Sequence, residues 1–196
     1  MELQERIRTR RSVQVYEDRP VPAGLIEELL EAAVWAPNHH LTQPWRFILV
    51  QGEGRCRIAQ ANRLLAEQEI PGVPSDLERR AQRGAAAYAR MMAVPAFVVV
   101  LVAEDPRPAI RIEDLVATSC VLQNLLLLAA DRGLGVAVKS YAVIHQPAFR
   151  QGLGITPGEA VVAVLQVGYP AVIPAARPRR PARDVLRVVD TAADPA

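Results

Sequence analysis

Histidine and cysteine, on which most metal centres and many nucleophilic sites depend, are scarce in this chain. Its 196 residues contain two cysteines and three histidines. Cys56 and Cys120 lie far apart and form no CxxC, which argues against a secreted disulfide framework and fits a reducing, cytoplasmic setting. Both fall inside helical patterns, where a buried, inert thiol is the expectation. His39 and His40 are adjacent in WAPNHHLTQPWRF, residues 35 to 47. Neighbouring loop histidines point differently and seldom share one ion, and His145 is distant, so no metal site is expected.

A surplus of charge is missing too. The 23 basic and 21 acidic side chains leave a net charge of +2, which gives no general pull towards nucleic acid or an anionic membrane. Any anion must therefore be held by a local cluster. The first residues, MELQERIRTRRS, lack the apolar core of a signal peptide. The longest uncharged run, LVATSCVLQNLLLLAA at 115 to 130, contains Gln123 and Asn124 and is shorter than the ~20 residues a bilayer requires. It predicts a buried helix, one so apolar that a second copy of the chain is its easiest cover. No GxGxxG leads from a strand into a helix: Gly133-Leu-Gly135 precedes a strand and lacks the third glycine. A GxxxxGK[ST] loop and a GxSxG elbow are absent as well.

What is present predicts one domain over residues 1–196, with 171–196 an extended Pro- and Arg-rich arm. A short charged helix at 2–10 is followed by extended chain through Tyr16 to Pro22. PAGLIEELLEAAVWA has apolar residues at helical spacing and Pro37 after it as a stop. WRFILVQ reads as a strand, GEGRCRIAQANRLLAEQE as a helix, and IPGVPS as a turn. Residues 76–92 predict a helix with a basic side from Arg79, Arg80, Arg83 and Arg90, the usual mark of a solvated face. VPAFVVVLVAE at 94–104 has the β-branched content of a strand buried on both faces. A helix at 110–132, a strand beginning LGVAVKS, a short helix at 146–153 and a strand EAVVAVLQVGYP complete the pattern. Helices first and then strands separated by helices give an α+β or α/β layer with a sheet of four or five strands covered on both sides.

Arginine gathers at two places, Thr-Arg-Arg-Ser at 9–12 and Arg-Pro-Arg-Arg-Pro at 177–181. Guanidinium forks and a serine hydroxyl suit the oxygens of a phosphomonoester. Arg10-Arg11-Ser12 after a short helix, Ala-Pro to Gln-Pro-Trp at 36–45 leading into a strand, Gly-Leu-Gly at 133–135 before Val138-Lys139-Ser140, and Gly-Tyr-Pro at 168–170 before an Arg-rich arm occur in one order along the chain. In that combination the chain resembles the small members of the FMN-dependent nitroreductase family.

The resemblance implies a three-layer α+β fold with a mixed central sheet of four or five strands, a homodimer, and FMN in each of two clefts at the subunit interface. It implies that Arg10, Arg11 and Ser12, with Arg179 and Arg177 from the arm, hold the FMN phosphate and part of the ribityl chain. Val138, Lys139 and Ser140 would run along the isoalloxazine, and Trp35 and His39 would reach the flavin of the other subunit. NADH or NADPH would reduce FMN in a ping-pong cycle and a nitroaromatic, quinone or similar small electrophile would reoxidise it. No side chain is required as general acid, and the chemistry belongs to the flavin. The same flavin site could alternatively serve dehalogenation, flavin fragmentation or non-catalytic flavin sequestration. One position departs from the pattern: where many members carry Lys or Arg two residues after the motif serine, this chain has Gln14, and Lys139 is a candidate replacement cation.

Overall fold

The structure, a computed structural model, describes residues 2–69 and 76–189. The turn expected at 70–75 lies outside the described residues. Six helices and six strands follow in chain order: α1 Leu3–Thr9, β1 Val15–Tyr16, α2 Ala23–Ala33, β2 Trp45–Gln51, α3 Arg55–Glu67, α4 Leu77–Met92, β3 Ala96–Ala103, α5 Pro108–Asp131, β4 Gly135–Lys139, α6 Pro147–Gly152, β5 Glu159–Gly168 and β6 Pro170–Val172.

The central sheet has four strands in the order β2-β3-β5-β4, all antiparallel. A parallel bridge from Ser12 to Val136 adds to its β4 edge and makes the sheet mixed there. Successive side chains of a strand point to opposite faces, and β3 shows why its sequence did not alternate in polarity. Val98 and Val100 enter one apolar cluster with Ile26 and Leu29 of α2 and Val121 and Leu125 of α5. Phe97, Val99 and Leu101 enter another with Ile58 of α3, Met91 of α4 and Phe149 of α6. Both faces are dry, so each face needs apolar residues. This gives three layers, and burying each such side chain contributes about 1.5–3 kcal/mol.

The polar residues interrupting α5 have specific partners. Asn124 donates to the carbonyl of Ala33 at 3.1 Å, buried Asp114 accepts from Thr42 Oγ1 at 2.7 Å, and Thr118 bonds back to the Asp114 carbonyl. Although α5 is long and apolar enough to cross a membrane, one side of it forms the middle of the first core. Its first turns expose Ile112, Leu115 and Val116. The helix ends at Gly133, whose φ of 74° suits a residue without Cβ, and Leu134 N–H closes onto Ala129 O at 2.9 Å.

Two local expectations are corrected. Helix α2 stops at Ala33 instead of running on to Pro37, since Asn124 occupies its terminal carbonyl and Ala36, ahead of proline, disfavours helical backbone. Cys56 is exposed, because α3 turns Ile58, Ala59 and Ala61 to the core instead.

Candidate functional site: an acid-free arginine cleft

After α1, the chain is drawn against the sheet edge by Ser12 and Val13. Val13 N–H donates to Val136 O at 3.3 Å, and its side chain is buried. Gly135 makes this approach feasible, since a Cβ there would lie 2.6 Å from Val13 Cβ. One turn further, Tyr16 donates its hydroxyl proton towards Val13 O at 2.6 Å, with Gln166 O at 3.2 Å. Gly168 leaves room for that ring, because a Cβ would stand 2.7 Å from Tyr16 Cδ1. The glycines of Gly-Leu-Gly and Gly-Tyr-Pro therefore act at a distance, by letting the N-terminal segment lie close.

The arm starts in register with the same segment. β6 pairs antiparallel with β1, Val15 opposite Val172 and Tyr16 opposite Pro170. This pairing brings the two chain ends together: Arg8, Arg10, Arg11, Arg177 and Arg179 line one cleft of about 660 Å³ with Ser12 and Gln14. Among the described residues no carboxylate lines it. Arg11 donates to the carbonyls of Arg8 and Arg10, both at 2.8 Å, and Arg179 to the carbonyls of Arg177 and Pro178. These bonds orient the guanidinium groups but cancel no charge. Burial holds the Arg10 pKa below its ordinary value, helped by the neighbouring charges of Arg11 and Arg179. Crowded like charges without a counterion are a site prepared for an anion, and the Ser12 hydroxyl adds a neutral donor.

Gln14 also lines a second cleft, of about 530 Å³, so the two adjoin. Its other walls include Tyr16, Asn62, Arg90, Lys139 and Tyr141. Gln166 Nε2 donates to the Tyr141 hydroxyl oxygen at 2.6 Å. Burial pushes the Tyr141 phenol up to about 12 while Arg90 pulls it the other way, and Tyr16 is raised by burial and by Tyr141. Both phenols are neutral hydrogen-bonding groups at neutral pH.

The residues predicted from sequence divide in two. Arg10, Arg11, Ser12, Arg177 and Arg179 converge on the first cleft and Lys139 on the second. Val138 is exposed one step along β4, where strand alternation turns it away from Lys139. Ser140 follows the end of the strand, and neither residue lines these clefts. Trp35 and His39 stand apart from both clefts within one chain. Trp35 is 88% exposed. His39 Nδ1 is 2.7 Å from Glu113 Oε2, and its ring stacks on His40 with centroids 3.9 Å apart. The loop holding them takes φ values of 53°, 52° and 43° at His40, Leu41 and Gln43, a strained path tied down by Gln43 N–H to Asn38 Oδ1 and by Thr42 to Asp114. Among the described residues no group of three or more His, Cys, Asp or Glu could hold a metal ion. Tyr16, Asn62, Tyr141 and Gln166 were not among the residues expected at a site, and Arg90 was expected only on a solvated face, since each comes from a different element and none sits in a motif.

Fold and clefts define a three-layer α+β protein with a cluster of arginines in one of two adjoining clefts. The model of the nitroreductase family matches residues 7–169, and the chain belongs to that family. A nitroreductase-like family protein from Bacillus cereus, solved by crystallography, superposes with a TM-score of 0.85 at 36% identity, with 97% of each chain covered. YfhC of Bacillus subtilis (strain 168), which carries a provisional NAD(P)H nitroreductase name, is 35% identical over 183 residues, 93% of this chain and 91% of that protein. The FMN and NADPH-dependent nitroreductase NfnB from a Sphigopyxis strain superposes with a TM-score of 0.72, covering 97% of this chain and 100% of that one; at 20% identity it shares the fold.

Proposed function

We propose that the protein is an FMN-dependent NAD(P)H oxidoreductase that passes reducing equivalents to a nitroaromatic, quinone or similar small electrophile by a ping-pong cycle. The observation that carries this reading is the acid-free convergence of Arg10, Arg11, Arg177 and Arg179 around Ser12. A terminal phosphomonoester, with nearly two charges and three acceptor oxygens, fits this donor set better than a carboxylate does. The names of relatives, which include NAD(P)H-dependent and FMN-dependent nitroreductases, support the same choice.

Under this reading, Arg10, Arg179 and Ser12 bind the phosphate, and Arg11 and Arg177 add to the field around it. Lys139 and the β4 backbone through Val138 to Ser140 flank the ring system. When bound, FMN supplies the two-electron carrier between nicotinamide and acceptor. The protein contributes position, exclusion of water and electrostatics, and no side chain is assigned as a general acid. Trp35 and His39 of each subunit reach the flavin held by the other in a homodimer. Supporting this assembly are the apolar residues exposed in one chain, Trp35, Leu41, Ile112, Leu115 and Val116, and the arm with Ile173, Leu186 and Val189 bare. Residues 1–196 act as one domain with 171–196 as its arm, and the cytoplasm, where nicotinamide donors abound, is the working compartment.

The absorbance spectrum of the purified protein is the first test. Bound FMN gives a yellow protein with flavin bands, and NADH or NADPH bleaches them anaerobically until an electrophilic acceptor restores them. A colourless protein that gains no flavin bands when incubated with FMN would rule the reading out.

A further inference from the structure

The resemblance places a cation beside the flavin at position 14, where this chain has Gln14, and the question is whether another element supplies that charge. The second cleft answers it. Gln14, Arg90 and Lys139 share its walls, and among the described residues no carboxylate lines it and Arg90 and Lys139 are its only cations. Arg90 is set apart from the other arginines on its side of α4. Arg80 and Arg83 are consumed by the C-terminal end of α3, donating to the carbonyls of Glu67, Ala66 and Gln68 at 2.7, 3.2 and 3.1 Å. Arg79 is on the exposed first turn, beyond the cleft. Arg90 makes none of the ion pairs or side-chain hydrogen bonds found among the described residues. Its charge acts on Tyr141, which lines the same cleft.

We propose that Arg90 is the cation that stabilises the reduced flavin in this protein, replacing from α4 the charge that position 14 lacks. The inference rests on the FMN reading above. Addition of a hydride, two electrons and one proton, to the neutral ring leaves one negative charge, spread over the adjacent N1 and O2 atoms of its pyrimidine edge. Two in-plane acceptors side by side match a guanidinium fork, as a carboxylate does. Lys139, the only lysine in the sequence, is a point charge at the end of β4, with no such match. Asn62, on α3, lines the same cleft, and its Nδ2 donates to Ile58 O at 3.0 Å. Arg90 is thus a positioning and tuning residue, not one that transfers a proton.

The test is spectroelectrochemical titration of the FMN-loaded protein, with separate measurement of affinity for oxidised FMN. Arg90→Met is expected to weaken binding of reduced FMN about tenfold more than binding of oxidised FMN, which lowers a two-electron midpoint potential by about 30 mV. Arg90→Lys should recover part of that loss. Gln14→Lys combined with Arg90→Met should recover most of it, because it returns a cation to the same cleft; a merely structural role for Arg90 would show no such rescue. Arg90 is exposed and makes no internal bond, so the variants should fold. An unchanged potential in Arg90→Met with a drop in Lys139→Met would assign the charge to Lys139 and overturn the proposal while leaving the FMN reading intact. Unchanged potentials in both would overturn it as well. Failure of the unaltered protein to take up FMN would remove the FMN reading, and this one with it.

Discussion

The molecule uses arginine in two opposite ways. Outside the clefts several guanidinium groups find a carboxylate: Arg46 with Glu159, Arg107 with Asp105, Arg132 with Glu28, Arg80 with Glu69, Arg63 with Glu67 and Arg6 with Asp131; others, such as Arg55, Arg57 and Arg150, donate to backbone carbonyls. Among the described residues no acid lines the two adjoining clefts. Paired arginines serve the fold modestly, since exposed ion pairs contribute little. Unpaired ones, of which Arg10 has its pKa lowered by burial first and by its cationic neighbours second, cost the free protein something and are expected where a ligand brings the missing charge. In a chain with 23 cations, the convergence of several on one cleft is more diagnostic of the site than the presence of arginine.

Breaking an unpaired member should produce the largest effect, and it should fall on the ligand. Arg10→Ala or Arg179→Ala removes a charge-assisted contact of about 1.5–3 kcal/mol, so FMN affinity is expected to fall roughly tenfold or more. Isothermal titration with riboflavin, which lacks the phosphate, should show almost no change. The ligand-free melting temperature of Arg10→Ala should not drop, because the substitution relieves repulsion from Arg11 and Arg179.

A paired member should behave in the reverse sense. Glu159 accepts from Arg46 and also receives Thr156 N–H at 2.8 Å and Thr156 Oγ1 at 2.6 Å, and these bonds, the Arg46 contact foremost, hold its pKa at about 2. A carboxylate with a depressed folded-state pKa contributes stability that is fully present above its ordinary value of 4.5 and is lost as pH falls towards 2. Glu159→Gln is therefore expected to destabilise by about 1 kcal/mol at pH 7, allowing for screening at Arg46. Its deficit relative to the unaltered protein should shrink through that acid window, as urea unfolding at several pH values would reveal. FMN affinity should stay the same.

The smallest effect is expected at Arg63, whose pair with Glu67 one turn along α3 lies at the surface. Arg63→Ala should leave both the melting temperature and FMN affinity within measurement scatter. A clear loss of FMN affinity there would blur the distinction between the two kinds of arginine.

Much of the fold was legible because its signals are local. WRFILVQ is β2 from end to end, and the apolar run at 94–104 contains β3, since continuous β-branched residues suit a strand with two dry faces. The arginine clusters at the two chain ends were visible as clusters. The α2 terminus was misjudged because a side chain 91 positions away, Asn124, takes its last carbonyl. The exposure of Cys56 was missed because helical spacing alone does not say which face of α3 meets the sheet. Trp35 and His39, predicted to join the cofactor site, lie apart from it in one chain, and their part is tied to the proposed second copy.

The sequence by itself determined the elements, the buried identity of the central strand and the supply of cations, since periodicity and composition act over a few residues. Only the tertiary structure decided which cations go unpaired. Gly135 and Gly168 let the N-terminal segment close on the sheet, β1 and β6 pair to bring Arg10 beside Arg179, and α4 presents Arg90 to a cleft with Gln14. Those juxtapositions join residues scores of positions apart. They depend on strand order and close packing, which no stretch of neighbouring residues encodes.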